Sequence, residues 1–320
     1  MDISVIVPLY NEEESLPELI RWIKKVLENQ KFSFEVILVD DGSNDSSWKV
    51  VEKLSKENSF IKAIKFRRNY GKSAALHVGF QESIGDVVIT MDADLQDSPE
   101  EIPELYRMVT QEGYHLVSGW KKKRYDPLFT KKIPSKLFNR TVRHMSGIKL
   151  HDMNCGLKAY RNEVVKSIEI FGEMHRYIPV LAKQAGFNRI GEKVVQHQER
   201  KYGVTKFGVS RFIHGFLDLF TVIFVTKFGK KPMHLFGTLG TLMFLTGGIM
   251  TLWLIITKLH AQFNHLPFRP VTDKPLFYIA LVIALIGVQL FVAGFLGELI
   301  SRSSADRNQY LIEKKLGRVE

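Results

Sequence analysis

Two acidic pairs stand at the ends of short apolar runs, where side chains meet ligands more often than core. Asp92-Ala93-Asp94 directly follows Val87-Val88-Ile89-Thr90-Met91, and Asp40-Asp41 directly follows Val36-Ile37-Leu38-Val39. Two carboxylates at a strand end are enough to hold Mg²⁺ or Mn²⁺ beside a phosphate, because such ions keep several waters and take further oxygens from substrate. Gln96 adds an amide oxygen, and Ser98-Pro99 opens a helix. By itself Asp-x-Asp also fits a solvated turn; its place at the strand end favours the metal. For the second pair the plain reading is helix capping by Ser43, Asn44 and Asp45. Capping leaves the two strand-end carboxylates unexplained, and an acceptor there could take the imide N–H of uracil or guanine.

The basic residues point to anions. With 45 Lys and Arg against 34 Asp and Glu, the formal charge is +11, which favours nucleotide phosphates, nucleic acid or an acidic lipid surface. No nucleic-acid-binding motif accompanies it. Lys121–Lys123 with Arg124, then Lys131 and Lys132, read either as a phosphate-binding turn or as a solvated loop, and a basic loop near a bilayer also attracts anionic headgroups. The single cysteine, Cys155, excludes a disulfide framework and a Cys-rich metal site. It reads as a packing residue rather than a nucleophile, since no paired histidine is evident. His144, His151, His175 and His197 lack the spacing of a zinc site.

The elements that must position these groups alternate in type. Ile3–Leu9, Phe34–Val39, Ile61–Phe66 and Val87–Met91 read as strands. Leu16, Leu19, Ile20, Ile23, Val26 and Leu27 recur at helical spacing, with further helices near Ser46–Glu57, Ser73–Ser83 and Pro99–Gln111. Strands alternating with helices predict a parallel α/β sheet covered on both faces. Its ligands bind at the carboxyl ends of the strands. Asp2 stands where a signal peptide would need a basic residue, so the N-terminus reads as the first strand.

The last third differs in kind. Leu235–Thr257 and Leu276–Leu296 carry no charge, and each is close to the 20 or so residues that cross a hydrocarbon core. Buried core helices of such length normally show a polar stripe, absent here. Gly237, Gly240, Gly247, Gly248, Gly287 and Gly294 suit close helix packing in lipid. Lys227, Lys230 and Lys231 precede the first run, and Arg302, Arg307, Lys314, Lys315 and Arg318 follow the second. The positive-inside rule then places both termini in the cytoplasm, in a multi-pass protein of the cytoplasmic membrane. Phe207–Phe228 is apolar except for a stripe of Arg211, His214, Asp218 and Thr221, as expected of an interfacial helix or of a helix buried in the soluble part.

Val5-Ile6-Val7-Pro8-Leu9-Tyr10-Asn11-Glu12, Asp40-Asp41 and Asp92-Ala93-Asp94 together resemble the family 2 glycosyltransferases of GT-A fold. Within them the likeness is to the polyprenyl-phosphate glycosyltransferases, including dolichol-phosphate mannose synthase, and it extends over nearly the whole chain. Asn69-Tyr70-Gly71-Lys72, Ser118-Gly119-Trp120-Lys121, Asp152-Met153-Asn154-Cys155-Gly156-Leu157-Lys158-Ala159-Tyr160, His175-Arg176-Tyr177-Ile178-Pro179 and Arg200–Phe207 resemble further blocks of that family. Two positions depart from its pattern: Lys158 replaces the usual arginine and Thr205 a common serine. Lysine keeps the charge but cannot imitate a bidentate arginine.

The resemblance implies a Rossmann-like, mostly parallel mixed sheet over 1–206, forming a cytoplasmic catalytic domain. It implies a juxtamembrane region at 207–231, a two-helix anchor at 232–300 with spans near 234–257 and 276–298, and a cytoplasmic tail at 301–320. It implies that Pro8, Tyr10, Glu12 and Asp41 line the base and ribose site, and that Asp92, Asp94 and Gln96 hold Mg²⁺ or Mn²⁺ and the donor diphosphate. Lys72 would lie near the donor phosphates. Arg124, Arg140, Arg200 and Lys206 would meet the acceptor phosphate, and Asp152 would be a catalytic carboxylate, as base or as positioning group. The partners implied are a nucleotide-sugar, with UDP preferred, polyprenyl phosphate, the bilayer, and further copies of the chain in a dimer or tetramer.

Chemistry sets the rest. A phosphate monoester has a second pKa of about 6 and is mostly dianionic at neutral pH, so it attacks the anomeric carbon without a strong base. That predicts a single inverting displacement, with charge on the departing diphosphate neutralised by metal and cationic groups; the resemblance implies glucose or a related hexose as the sugar. A processive polysaccharide synthase would need a Gln-x-x-Arg-Trp block. Gln196 and Gln198 lie near Arg200 with the wrong spacing, and no tryptophan follows. A non-catalytic nucleotide-sensing membrane module is the other alternative.

Overall fold

The computed structural model describes residues 1–122, 143, 147–170, 172, 174–199, 201–202, 228, 231–267 and 269–303. Arg124, Arg140, Arg200, Lys206 and nearly all of the expected interfacial helix at 207–228 lie outside the described residues.

Apolar runs in the first part become strands because both faces of their sheet are covered. β1 (Ile3–Leu9), β2 (Phe34–Asp40), β3 (Ile61–Lys65) and β4 (Val87–Thr90) pair in parallel. Ile3, Val5, Ile6 and Val7 have no exposed surface, the near-continuous burial typical of a parallel sheet. β5 (Leu116–Trp120), β6 (Lys158–Arg161) and β7 (Ile190–Val194) complete a seven-stranded sheet of order β3-β2-β1-β4-β6-β5-β7. β6 runs antiparallel to both neighbours, so the sheet is mixed and mostly parallel, as expected. Strand order reverses between β1 and β4, which opens a crevice at their carboxyl ends.

Three helices connect the parallel strands: α1 (Leu16–Asn29), α2 (Ser47–Glu57) and α3 (Lys72–Glu82). Leu16, Leu19, Ile20, Ile23, Val26 and Leu27 of α1 form the buried stripe their spacing predicts. The segment expected as one helix from Pro99 starts instead as a 3₁₀ turn, Pro99–Glu101, capped by Ser98, and continues as α4 (Ile102–Thr110). α5 (Asn162–Lys166), a 3₁₀ turn at Met174–Tyr177 and α6 (Ile178–Gln184) follow.

The chain divides into two compact units, Met1–Val222 and Ile223–Glu320. In the second, α7 (Pro232–Phe263) and α8 (Pro275–Ser303) are long and apolar enough to cross a membrane. Only 17% of the most apolar window of each is buried inside the structure, which argues against soluble core helices. Glycines bring the two backbones together: a Cβ on Gly240 would lie 2.6 Å from the Gly287 carbonyl, and one on Gly247 2.7 Å from that of Ala280.

Candidate active site

β4 delivers Asp92 and Asp94 to the crevice. Leu95 then takes a left-handed conformation, φ 60°, rare for a side chain of its size and a mark of local strain. The turn lets the Gln96 N–H donate to Asp94 Oδ1 at 3.2 Å. Asp92 is half-buried and pairs with the ammonium of Lys72, the first residue of α3. Burial alone would raise the Asp92 pKa, but Lys72 and Lys121 outweigh it and hold the carboxyl well below the usual range. Its other oxygen faces bare backbone: a Cβ on Gly156 would come within 2.5 Å of Asp92 Oδ2. A side chain at 156 would have to displace that carboxylate.

The loop around Gly156 is pinned from below. Its carbonyl accepts from Thr90 Oγ1 at 2.8 Å, and the Cys155 carbonyl accepts from the buried Lys158 ammonium. Burial pushes the Lys158 pKa down and the Cys155 thiol up to about 12. Asp152, from the same loop, is buried; its Oδ1 accepts from the Asn154 N–H at 3.1 Å and its carbonyl from Ser118 Oγ at 3.3 Å. Lys121 is not the solvated loop residue its neighbours suggest. Its side chain is 12% exposed and meets the fully buried Asp97 at 2.7 Å. Although burial opposes it, Asp97 keeps the Lys121 pKa raised. Behind Lys72, Ser73 hydrogen-bonds His175.

On the other side of the crevice, the loops after β1, β2 and β3 are laced together. Asn11, with φ 54°, donates its N–H to Ser43 Oγ at 2.9 Å and accepts from the Asn44 N–H at 2.9 Å. Asn44 Nδ2 donates to the Tyr10 hydroxyl at 3.2 Å, and the Glu12 N–H donates to Ser47 Oγ at 2.8 Å. The Glu12 carboxylate accepts from Ser15 Oγ at 2.9 Å, while Pro8 is half-buried on β1 opposite Val39. Asp41 engages both oxygens, accepting from the Tyr70 N–H at 2.7 Å and the Gly71 N–H at 2.9 Å. Its carboxylate therefore shapes the turn that presents Lys72. Burial raises its pKa.

The structure thus gathers Pro8, Tyr10, Glu12, Asp41, Lys72, Asp92, Asp94 and Gln96 around the carboxyl ends of β1, β2 and β4, and sets Asp152 beside β5. Asp97, Lys121, Lys158, His175 and Gly156 join them; of these the sequence offered only Lys121, as part of a basic turn. Among the described residues no group of three or more His, Cys, Asp or Glu side chains could hold a metal alone. Two carboxylates and an amide, one carboxylate resting on a glycine cradle, suit a divalent ion that completes its shell with phosphate oxygens.

This sheet, with acids at the end of the strand beside the switch point, is the GT-A arrangement that the resemblance implied. Residues 4–169 match the model of Glycosyl transferase family 2, and the chain belongs to that family. It is 34% identical over 305 residues to the dodecaprenyl-phosphate galacturonate synthase of Rhizobium johnstonii, covering 95% of this chain and 88% of the relative. It is 35% identical over 318 residues to the undecaprenyl-phosphate 4-deoxy-4-formamido-L-arabinose transferase of Pseudomonas fluorescens, covering 98% and 90%. Among solved structures it resembles glucosyl-3-phosphoglycerate synthase from Mycobacterium tuberculosis in complex with Mn²⁺, uridine-diphosphate-glucose and glycerol 3-phosphate. The TM-score is 0.53 at 18% identity, over 70% of this chain and 79% of that one; at that identity the likeness is of fold alone.

Proposed function

We propose that the chain transfers a single sugar, a glucose-type hexose or a relative of it, from a UDP-sugar to polyprenyl phosphate at the cytoplasmic membrane face, inverting the anomeric centre. The observation that carries this is the ionised Asp92 carboxylate, held by Lys72 against the bare backbone of Gly156 at the switch point of the sheet. Relatives named for polyprenyl-phosphate substrates match over almost the whole length, both long apolar helices included.

Asp92, Asp94 and Gln96 would hold Mg²⁺ or Mn²⁺, whose chemistry here is to neutralise charge on the departing diphosphate. Lys72, at the start of α3, adds an ammonium and the free N–H groups of a helix end on the same side. Asp41 keeps that helix start in place. Asp152 orients the incoming phosphate or sugar, and Arg124, Arg140, Arg200 and Lys206 clamp the acceptor phosphate so that two anions can be brought together. The acceptor oxygen attacks the anomeric carbon as the bond to the nucleoside diphosphate breaks.

The test is to incubate detergent-solubilised protein with undecaprenyl phosphate, Mg²⁺ and a panel of UDP-sugars, then weigh the lipid product. One sugar per lipid is expected, lost on chelation and restored by Mn²⁺ or Mg²⁺; a polymer or an unmodified lipid overturns the reading. Asp94→Ala should lower turnover by about 100-fold or more while thermal unfolding stays near wild type. Full turnover in that variant removes Asp94 from the site.

A further inference from the structure

Glu101 is an acid in the first turn of a helix, a position usually solvated and serving only the helix dipole. Here it is buried, and neither of its oxygens serves its own helix. Oε1 accepts from the Gln196 N–H at 3.0 Å and Oε2 pairs with the Lys193 ammonium. A buried carboxylate is costly unless fully partnered, so this double tie fixes the segment that leaves β7.

The same segment is bound again just beyond. Asp97 and His197 form an isolated antiparallel bridge, and the Gln198 N–H donates to the Gln96 carbonyl at 3.0 Å. Lys201 then meets Glu18 at 2.7 Å, and the Tyr202 hydroxyl donates to the same carboxylate at 3.2 Å. Lys201 is exposed and Glu18 only half-buried, so their pair is screened. The buried Glu101 is the stronger anchor.

We propose that Glu101 is a positioning residue for the acceptor: it fastens Lys193–Gln198 onto the loop following Asp92 and Asp94, and so acts on the chain that leads into the basic block Arg200–Lys206. This rests on the reading of Arg200 and Lys206 as acceptor-phosphate groups. Its consequence is that loss of the anchor acts on the second substrate, although Glu101 touches neither.

Steady-state kinetics test this with undecaprenyl phosphate and the UDP-sugar that wild type accepts. Glu101→Ala should raise the KM for undecaprenyl phosphate about tenfold or more, with the KM for the UDP-sugar changed less than about twofold. Glu101→Gln, which keeps an acceptor for the Gln196 N–H, should recover much of the loss, and Glu18→Ala should do less than Glu101→Ala. Equal rises in both KM values, or an unmoved acceptor KM, overturn the proposal. Hydrogen exchange gives an independent readout should wild type transfer nothing to the lipid, which would sink the functional reading alone. Glu101→Ala should speed exchange of the Gln198 amide, whose own bond to Gln96 the substitution leaves intact, while the amides of β1 stay protected. An unchanged Gln198 amide, or general loss of protection, overturns the anchor.

Discussion

Ser73 has one hydroxyl hydrogen, and its oxygen already accepts from the backbone N–H of His175 at 3.0 Å. The same hydroxyl meets His175 Nδ1, also at 3.0 Å. Burial, reinforced by Lys72 and Arg176, drives the His175 pKa well below the ordinary histidine value. Below about pH 6.5 the unfolded chain then binds a proton that the native state refuses, so stability falls as the solution is acidified. His175→Gln should show a smaller drop in melting temperature between pH 7.5 and 5.5 than wild type. An equal drop would mean that this ring protonates in place. Gly156 makes a sharper prediction. Gly156→Ala puts a methyl within 2.5 Å of Asp92 Oδ2, and a shift of that carboxylate by about 1 Å should cut kcat by about 100-fold. Steady-state assay at saturating donor checks it. Asp92 and Asp94 were legible in the sequence because an apolar strand ends in them. Lys158 and His175 were not, and Lys121 only as one reading of a basic turn, since a lysine reads as solvated until Asp97 or the Cys155 carbonyl is known to lie against it.

At the scale of elements, legibility followed burial. β1 to β4 read as strands, most plainly where burial on both faces makes them continuously apolar, and α1 as a helix because only one face is buried, whereas β5, β6 and β7 were not visible. The helix ends were less visible. Counting uncharged residues finds the apolar stretch 235–257, but α7 runs from Pro232 to Phe263, since backbone hydrogen bonds continue through Lys258 and His260. The 3₁₀ start at Pro99–Glu101 was also hidden, as were the partners of Glu101, Lys193 and Gln196, which lie 92 and 95 positions on. The glycines of the long helices were read as packing residues, and their contacts differ enough to test that. A Cβ on Gly287 would meet the Phe244 nitrogen at 2.5 Å, whereas nothing lies within 4 Å of one on Gly248. Gly287→Leu should therefore lower the melting temperature of the solubilised protein by several degrees, and Gly248→Leu should leave it near wild type. Scanning fluorimetry on both variants decides whether close backbone packing holds the helix pair together.

For the whole molecule, the consequence of two helices long and apolar enough to cross a membrane is topological. If both α7 and α8 span the bilayer, the residues between them face one side and the two chain termini the other. The basic residues flanking the pair, Lys227, Lys230 and Lys231 before and Arg302 and Arg307 after, favour the termini inside. The loop between the helices has only Lys258, Arg269 and Lys274. The cysteine content makes this measurable, because Cys155 is buried and its thiol pKa is pushed up to about 12, so it is a poor nucleophile near neutral pH. A cysteine placed at Asn264, exposed just beyond α7, should react with a membrane-impermeant maleimide in intact cells. One placed at Lys53, exposed on α2, should react only after the cells are opened. Labelling of Lys53→Cys in intact cells would put the catalytic unit on the outer face, where cytoplasmic nucleotide-sugars do not reach it. Labelling of neither site until lysis would mean that the helix pair does not carry the loop across.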